Sequence, residues 1–150
     1  MSITKATPLQ SAGLLQLAIV SALLAFASSR VDAADDLVVS PTYLPDLVNA
    51  SLDLLIDGER GIWHLVNEGA ATWAQLARDV ARLAGLDESL VRARPSTELG
   101  FLAPRPRNSA LASERGWLMP PLDRALARCV GALTADSRAT RDATASASSA

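Results

Sequence analysis

The stretch "VVSPTYLPDLVNASLDLL", Val38 to Leu55, passes from strand to turn to helix. Residues 36–40, "DLVVS", are a short β-rich run that Pro41 and Thr42 break. Beyond the break, Leu44, Leu47, Val48, Ser51, Leu54 and Leu55 recur at helical spacing. Pro45 falls in the first turn, where its missing N–H costs nothing, and Asp46 suits the positive end of the helix dipole. Gly58 ends the helix. The stretch carries no evident nucleophile, metal cluster or phosphate loop, so its role depends on what flanks it.

Downstream, "GIWHLVN", 61–67, is short and β-rich, and is expected to be a compact strand. The clearest local signal follows in "NEGAATWAQLARDVARLAGLD". Thr72 is placed to cap a helix, with Gln75 three residues on to complete a capping box. Trp73, Leu76, Ala77, Val80, Leu83 and Ala84 share a face, Arg78, Asp79 and Arg82 lie off it, and Gly85 closes the helix. "LVRAR", 90–94, reads as another short strand stopped by Pro95. "FLAPRPRNSAL", 101–111, is largely extended, because two prolines frame Arg105. A helical turn is expected at Ser113 to Arg115, and a last helix over 120–133, with Leu122, Ala125, Leu126, Cys129, Val130 and Leu133 on one face. From Thr134 the Ala/Ser/Thr-rich tail has no large apolar residue, a composition that predicts disorder over 134–150.

Upstream, "AGLLQLAIVSALLAFASS", 12–29, is an apolar run behind Lys5. Val31, Asp32 and Ala33 then make a V-x-A arrangement like a signal-peptidase site. Three readings stay open for residues 1–31. They are a secretory signal, a buried helix or hydrophobic end left by loss of what preceded it, or a membrane anchor. Gln16, Ser21, Ser28 and Ser29 interrupt the run, which makes it marginal against the ~20 apolar residues a span needs.

The totals narrow the function classes. The 150 residues are enough for one domain with a core, and 49% hydrophobic against 20% charged residues is a globular composition. A net charge of −2 argues against a nucleic-acid binder, which needs a basic stripe to neutralise phosphates. Cys129 is the one cysteine, so no internal disulfide forms, and with His64 as the one histidine no structural zinc site can be assembled from such residues. The eight glycines are scattered and spell neither G-x-G-x-x-G nor G-x-x-x-x-G-K-[ST]. Tyr43, the one tyrosine, is followed three residues on by Asp46, and the one lysine is Lys5, so there is no Y-x-x-x-K pair.

The remaining chemistry is modest. His64 sits between Trp63 and Leu65 with no serine elbow nearby, which favours a structural role. Cys129 lies on an apolar helix face and is expected to be packed there. The carboxylates Asp35, Asp36, Asp46, Asp53 and Asp57 read as solvated or capping groups. Arg105 and Arg107, on a backbone stiffened by proline, are candidates for anion binding. Thr42 and Tyr43, at the end of a strand, are candidates for a pocket mouth. Local ion pairs and plain turn chemistry are the competing readings for these four.

Taken in order, "SPTYLPDLVNASLDLL", "GIWHLVNEGAATWAQLARDVARLAGLD" and "APRPRNSAL" resemble consecutive blocks of the dTDP-4-dehydrorhamnose reductase family, within the extended short-chain dehydrogenase/reductases. The resemblance runs from about Asp32 to Leu133. It implies an α/β fold: the C-terminal substrate lobe of a Rossmann-type enzyme, mainly helices with a few short strands. Members of that family reduce a 4-keto dTDP-sugar with NADPH or NADH in the last step to dTDP-L-rhamnose. Their N-terminal half carries the glycine-rich loop and the Tyr–Lys pair.

Only the C-terminal half is matched, so no catalytic or cofactor-binding residue can be carried over. The expectation is a truncated, reductase-like sugar-nucleotide lobe over 32–133, with no cofactor of its own and no hydride transfer alone. Thr42, Tyr43, Arg105 and Arg107 are the substrate-lobe positions, and a dTDP-sugar is the implied ligand. A cytoplasmic location follows from that ligand. The alternatives are a non-catalytic partner or regulatory module that pairs with a separate Rossmann chain, and a small exported protein; a Rossmann-domain protein or a second copy of the chain is the expected protein partner.

Overall fold

The computed structural model describes residues 30–147 apart from Trp117. In chain order these form β1 (Val31–Ala34), β2 (Val38–Val39), α1 (Leu44–Ile56), β3 (Ala71–Thr72), α2 (Trp73–Leu83), β4 (Val91–Arg94), β5 (Asn108–Ser109) and α3 (Leu122–Ala147). Single 3₁₀ turns lie at Glu88–Leu90 and Ser96–Glu98. The expected α/β character, with helices dominant and strands short, is what the chain adopts. The apolar run and its three readings fall on residues 1–29, outside the described residues.

The helix punctuation follows local chemistry. The Thr72 hydroxyl accepts from the Gln75 N–H at 3.1 Å, and the Gln75 side chain accepts from the Thr72 N–H at 3.0 Å. Such a cap contributes about 1 kcal/mol. At the other end Gly85, at φ +70°, lets its own N–H reach the Arg82 carbonyl at 3.1 Å while Leu86 N–H reaches that of Ala81 at 2.8 Å. The same two-bond closure ends α1 around Gly58, from Gly58 to Leu55 and from Glu59 to Leu54.

Two small sheets flank α2. In one, β1 runs parallel to β4, with Val31 opposite Val91 and Ala34 opposite Arg94. The other has the order β3-β2-β5, with β2 antiparallel to β3 and parallel to β5. The Val31-Asp32-Ala33 stretch that resembled a cleavage site is thus strand β1, with Ala33 and Ala34 buried. On its exposed side Asp32 bridges Arg92 at 2.8 Å and Arg94 at 3.3 Å, pairs too solvated to contribute much.

The core is divided between the two sides of α2. Leu76 and Val80 pack with Tyr43 and with Leu122, Ala125, Leu126, Cys129 and Val130 of α3. Ala74 and Ala81, on the other side, pack with Ala33 and Val91. The single apolar face expected for this helix is therefore half of the story. Trp73 and Leu83 remain partly exposed, at 39% and 43%, and two small alanines are buried instead. Periodicity weighted by side-chain size points at one neighbour, whereas this helix has two.

Other expectations give way to tertiary context. The 61–67 segment is not a strand. It has no ladder contact of its own, because no described strand lies alongside to exchange backbone hydrogen bonds, and the nearest bridge, between Glu68 and Pro121, falls just beyond it. It is held by side chains instead. The Arg115 guanidinium lies 3.9 Å from the Trp63 ring centroid and donates to the Arg60 carbonyl, and His64 Nδ1 lies 3.2 Å from the Ala112 carbonyl oxygen. Residues 114–115 form a plain turn with no helix. The last helix does not stop at Leu133 but continues to Ala147, through most of the segment whose composition predicted disorder. No proline occurs in that continuation, and its alanines are the best helix formers.

Helix α1 also turns differently from its expected face. Asp46 and Ala50 point inward, Leu44, Leu47, Ser51 and Leu54 are half-buried on the flanks, and Leu55 and Ile56 are 76% and 80% exposed. Val48, Leu52 and the nearby Ile62 are exposed as well.

Candidate functional site

Two adjoining hollows open beside the β3-β2-β5 sheet. The first, of about 520 Å³, lies between the turn after β1, the 3₁₀ turn at 96–98 and the 100–107 loop, and includes Asp36, Thr97, Phe101, Arg105 and Arg107. The second, of about 380 Å³, lies over β2 and includes Leu37, Val39, Trp73, Phe101 and Arg105. Phe101 and Arg105 belong to both, and both volumes fall in the range of small-molecule sites.

The loop that carries the arginines is anchored at its end. Val38 N–H donates to the Arg107 carbonyl at 2.8 Å, so the loop enters β5 already aligned with β2. The Arg105 guanidinium sits 5.7 Å from the centroid of the Phe101 ring, a cation–π arrangement. Neither Arg105 nor Arg107 forms an ion pair among the described residues.

The facing carboxylate, Asp36, is already engaged. It accepts from the Ser96 N–H and hydroxyl, each at 2.9 Å. Burial opposes its charge, but the Ser96 bonds, its own backbone N–H and the field of Arg107 outweigh that and hold the carboxyl below its ordinary value. The hollow thus carries two cations against one anion, with its serine hydroxyl committed to Asp36. This is equipment for holding an anion next to an aromatic ring. No nucleophile–base pair is formed there, and no group of metal-ligating side chains occurs among the described residues.

The sequence candidates divide. Arg105 and Arg107 line the first hollow together. Thr42 is half-buried and borders neither hollow. Tyr43 is 8% exposed and belongs to the core. Its phenol is pushed up chiefly by burial, with the neighbouring Cys129 and Asp46 adding and Arg128 opposing. Cys129 is fully buried, as expected of a packed thiol, and burial raises its pKa. His64 is exposed and touches neither hollow.

A buried polar knot lies behind Tyr43, and the sequence carried no signal for it. Asn67 is fully buried. Its Oδ1 accepts from Tyr43 N–H at 2.8 Å, while its Nδ2 donates to the Pro120 carbonyl at 2.8 Å and to Asp46 Oδ2 at 3.0 Å. Arg128 donates to both oxygens of Asp46 and lies 5.2 Å from the Tyr43 ring centroid. The knot joins α1, the 61–67 segment and α3. Asp36, Phe101 and Trp73 were likewise unmarked as hollow-lining residues.

Comparison with known proteins agrees with this architecture. The family model described as the RmlD substrate binding domain matches residues 16–122. A dTDP-4-dehydrorhamnose reductase of Mycobacterium tuberculosis is 41% identical over 100 residues, covering 66% of this chain and 33% of that protein. A dTDP-4-keto-6-deoxy-D-glucose reductase of Streptomyces niveus is 37% identical over 84 residues, covering 56% and 29%. The chain therefore spans about a third of the length of the curated relatives it matches.

Among solved structures, the dTDP-4-dehydrorhamnose reductase of Clostridium acetobutylicum superimposes with a TM-score of 0.71 at 21% identity, covering 77% of this chain and 43% of that one. That of Bacillus anthracis, in complex with NADP, gives 0.67 at 24%, covering 73% and 41%. These two show the fold. The family model extends over most of the chain, and this chain belongs to the RmlD substrate binding domain family.

Proposed function

We propose that this chain is the sugar-nucleotide-binding lobe of a dTDP-4-dehydrorhamnose reductase-like system, binding a dTDP-sugar and catalysing no hydride transfer alone. The observation that carries the reading is the pair Arg105 and Arg107 in one hollow, neither of them in an ion pair among the described residues. A diphosphate offers those guanidiniums the paired oxygens their geometry favours.

The residues present do not fit a dinucleotide cofactor. Among the described residues no helix follows a glycine-rich turn, and the first turn of α2 is closed by its own Thr72–Gln75 cap. NADPH or NADH would be held by another lobe. A cytoplasmic location follows from the proposed ligand. Among the described residues no helix is long and apolar enough to cross a membrane.

Calorimetric titration with dTDP-rhamnose tests the binding. The chain is expected to bind, and Arg105→Ala or Arg107→Ala to weaken binding about tenfold, the worth of one charged hydrogen-bonding group. Failure of the unaltered chain to bind would overturn the reading. Oxidation of NADPH by the purified chain in the presence of dTDP-4-dehydrorhamnose would overturn the claim of inactivity.

The exposed apolar side of α1 favours a second reading, in which the chain works as a non-catalytic module against a separate Rossmann chain or a second copy. Sedimentation of the purified chain as a monomer at every concentration, with no co-purifying Rossmann protein, argues against it.

A further inference from the structure

We propose that Asp36 sets the charge selectivity of the first hollow, as a fixed anion that admits a diphosphate esterified at both ends and disfavours one ending in a free phosphate. This rests on the sugar-nucleotide reading above and adds the residue by which the site tells the sugar-linked ligand from the bare nucleotide.

Three observations carry it. First, Asp36 is held in place by neutral donors. The Ser96 N–H donates to its Oδ1 and the Ser96 hydroxyl to its Oδ2, each at 2.9 Å, and the residue is half-buried. Those bonds fix the carboxylate without cancelling its charge, as a paired cation would. Second, the residues that line the hollow carry three charges, those of Asp36, Arg105 and Arg107. Glu98, on the same 3₁₀ turn as Ser96, is paired with Arg94 and does not line it. Third, the cations are open to a ligand. Neither arginine is in an ion pair among the described residues, and Arg107 acts on Asp36 through its field alone.

A diphosphate esterified at both ends carries about one charge on each phosphate, whereas a terminal phosphate carries about −1.5 to −2 at pH 7. Two arginines by themselves would hold the more highly charged ligand more tightly. A fixed carboxylate beside them repels both ligands, and the more charged one more strongly. Discrimination of this kind comes from a repulsive element set among attractive ones.

Calorimetry with dTDP-rhamnose and dTDP tests it, read as the ratio of the two affinities so that contacts to the sugar cancel between variants. Asp36→Asn keeps the side chain's shape and an acceptor for the Ser96 N–H but removes the charge. It is expected to tighten dTDP about threefold more than dTDP-rhamnose, a difference that shrinks at high salt. Thr97 is exposed and lines the same hollow, so Thr97→Asp is expected to move the ratio about threefold the other way. The two changes combined restore the ratio of the unaltered chain, which a purely structural role for Asp36 does not allow. Thr97→Asp leaves the Asp36 bonds intact and decides the matter even where Asp36→Asn disturbs the turn. An unmoved ratio in either variant, or an equal and salt-insensitive loss of both ligands in Asp36→Asn, overturns the selecting role while the sugar-nucleotide reading stands. If the unaltered chain binds neither ligand, both fall.

Discussion

Arg128 reaches across 82 positions of sequence to hold both carboxylate oxygens of Asp46, joining α3 to the first turn of α1. The Asp46 side chain is 4% exposed, while that of Arg128 is half in solvent. Removing the arginine leaves a nearly buried carboxylate with Asn67 as its remaining partner. Arg128→Ala is expected to cost about 2 kcal/mol, below the range for fully buried pairs because water screens the guanidinium. Asp46→Asn combined with Arg128→Ala should cost less than the two separate losses added. Urea melts of the four proteins measure this, and strict additivity would show that the pair is not coupled.

Asn67→Ala removes the acceptor for Tyr43 N–H and both side-chain donors at once, in a site without water access. The loss is expected to be about 3 kcal/mol, since each orphaned buried polar group costs about 1–3 kcal/mol. Asn67→Asp should do no better, because it keeps the acceptor but sets a second carboxylate against Asp46. An aspartate variant as stable as the native chain in thermal melts would show that the amide donors are dispensable.

The Asp36 carboxyl is held below its ordinary value in the folded chain. A depressed folded value means that the native state favours the charged form. Its stabilisation is therefore complete above about pH 4 and is lost as pH falls through the lower folded value. Asp36→Asn should make the acid limb of the stability–pH curve shallower and leave its shape near neutrality unchanged. Asp32 and Asp87 are also depressed, by Arg92 and by Ser89 respectively, so part of the limb will remain. An identical acid limb in Asp36→Asn would show that Ser96 and Arg107 do not favour the charged carboxyl.

What could be read ahead of the structure was local. The Thr72–Gln75 box, the glycine stops at 58 and 85, the strand after Leu90 and the start of the last helix each depend on neighbours a few residues away. The pairing of Arg105 and Arg107 was visible for the same reason, since prolines on a short loop keep them near each other. Tyr43 was legible as a pocket candidate only because it ends a strand-like run. Its burial against Leu76, Val80 and α3 depends on residues more than thirty positions away.

The sequence by itself determined where α1 and α2 begin and end, where the last helix begins, and which family the ordered blocks resemble, because caps, turns and motif spacings act over a few bonds. Tertiary structure decided the rest. It turned α1 so that Asp46 and Ala50 face inward, gave α2 two buried sides, left 61–67 without a ladder, and made Asn67 the centre of a satisfied polar knot. Each of those outcomes depends on a partner group brought near by the fold, and burial or pairing has no energy until that partner arrives.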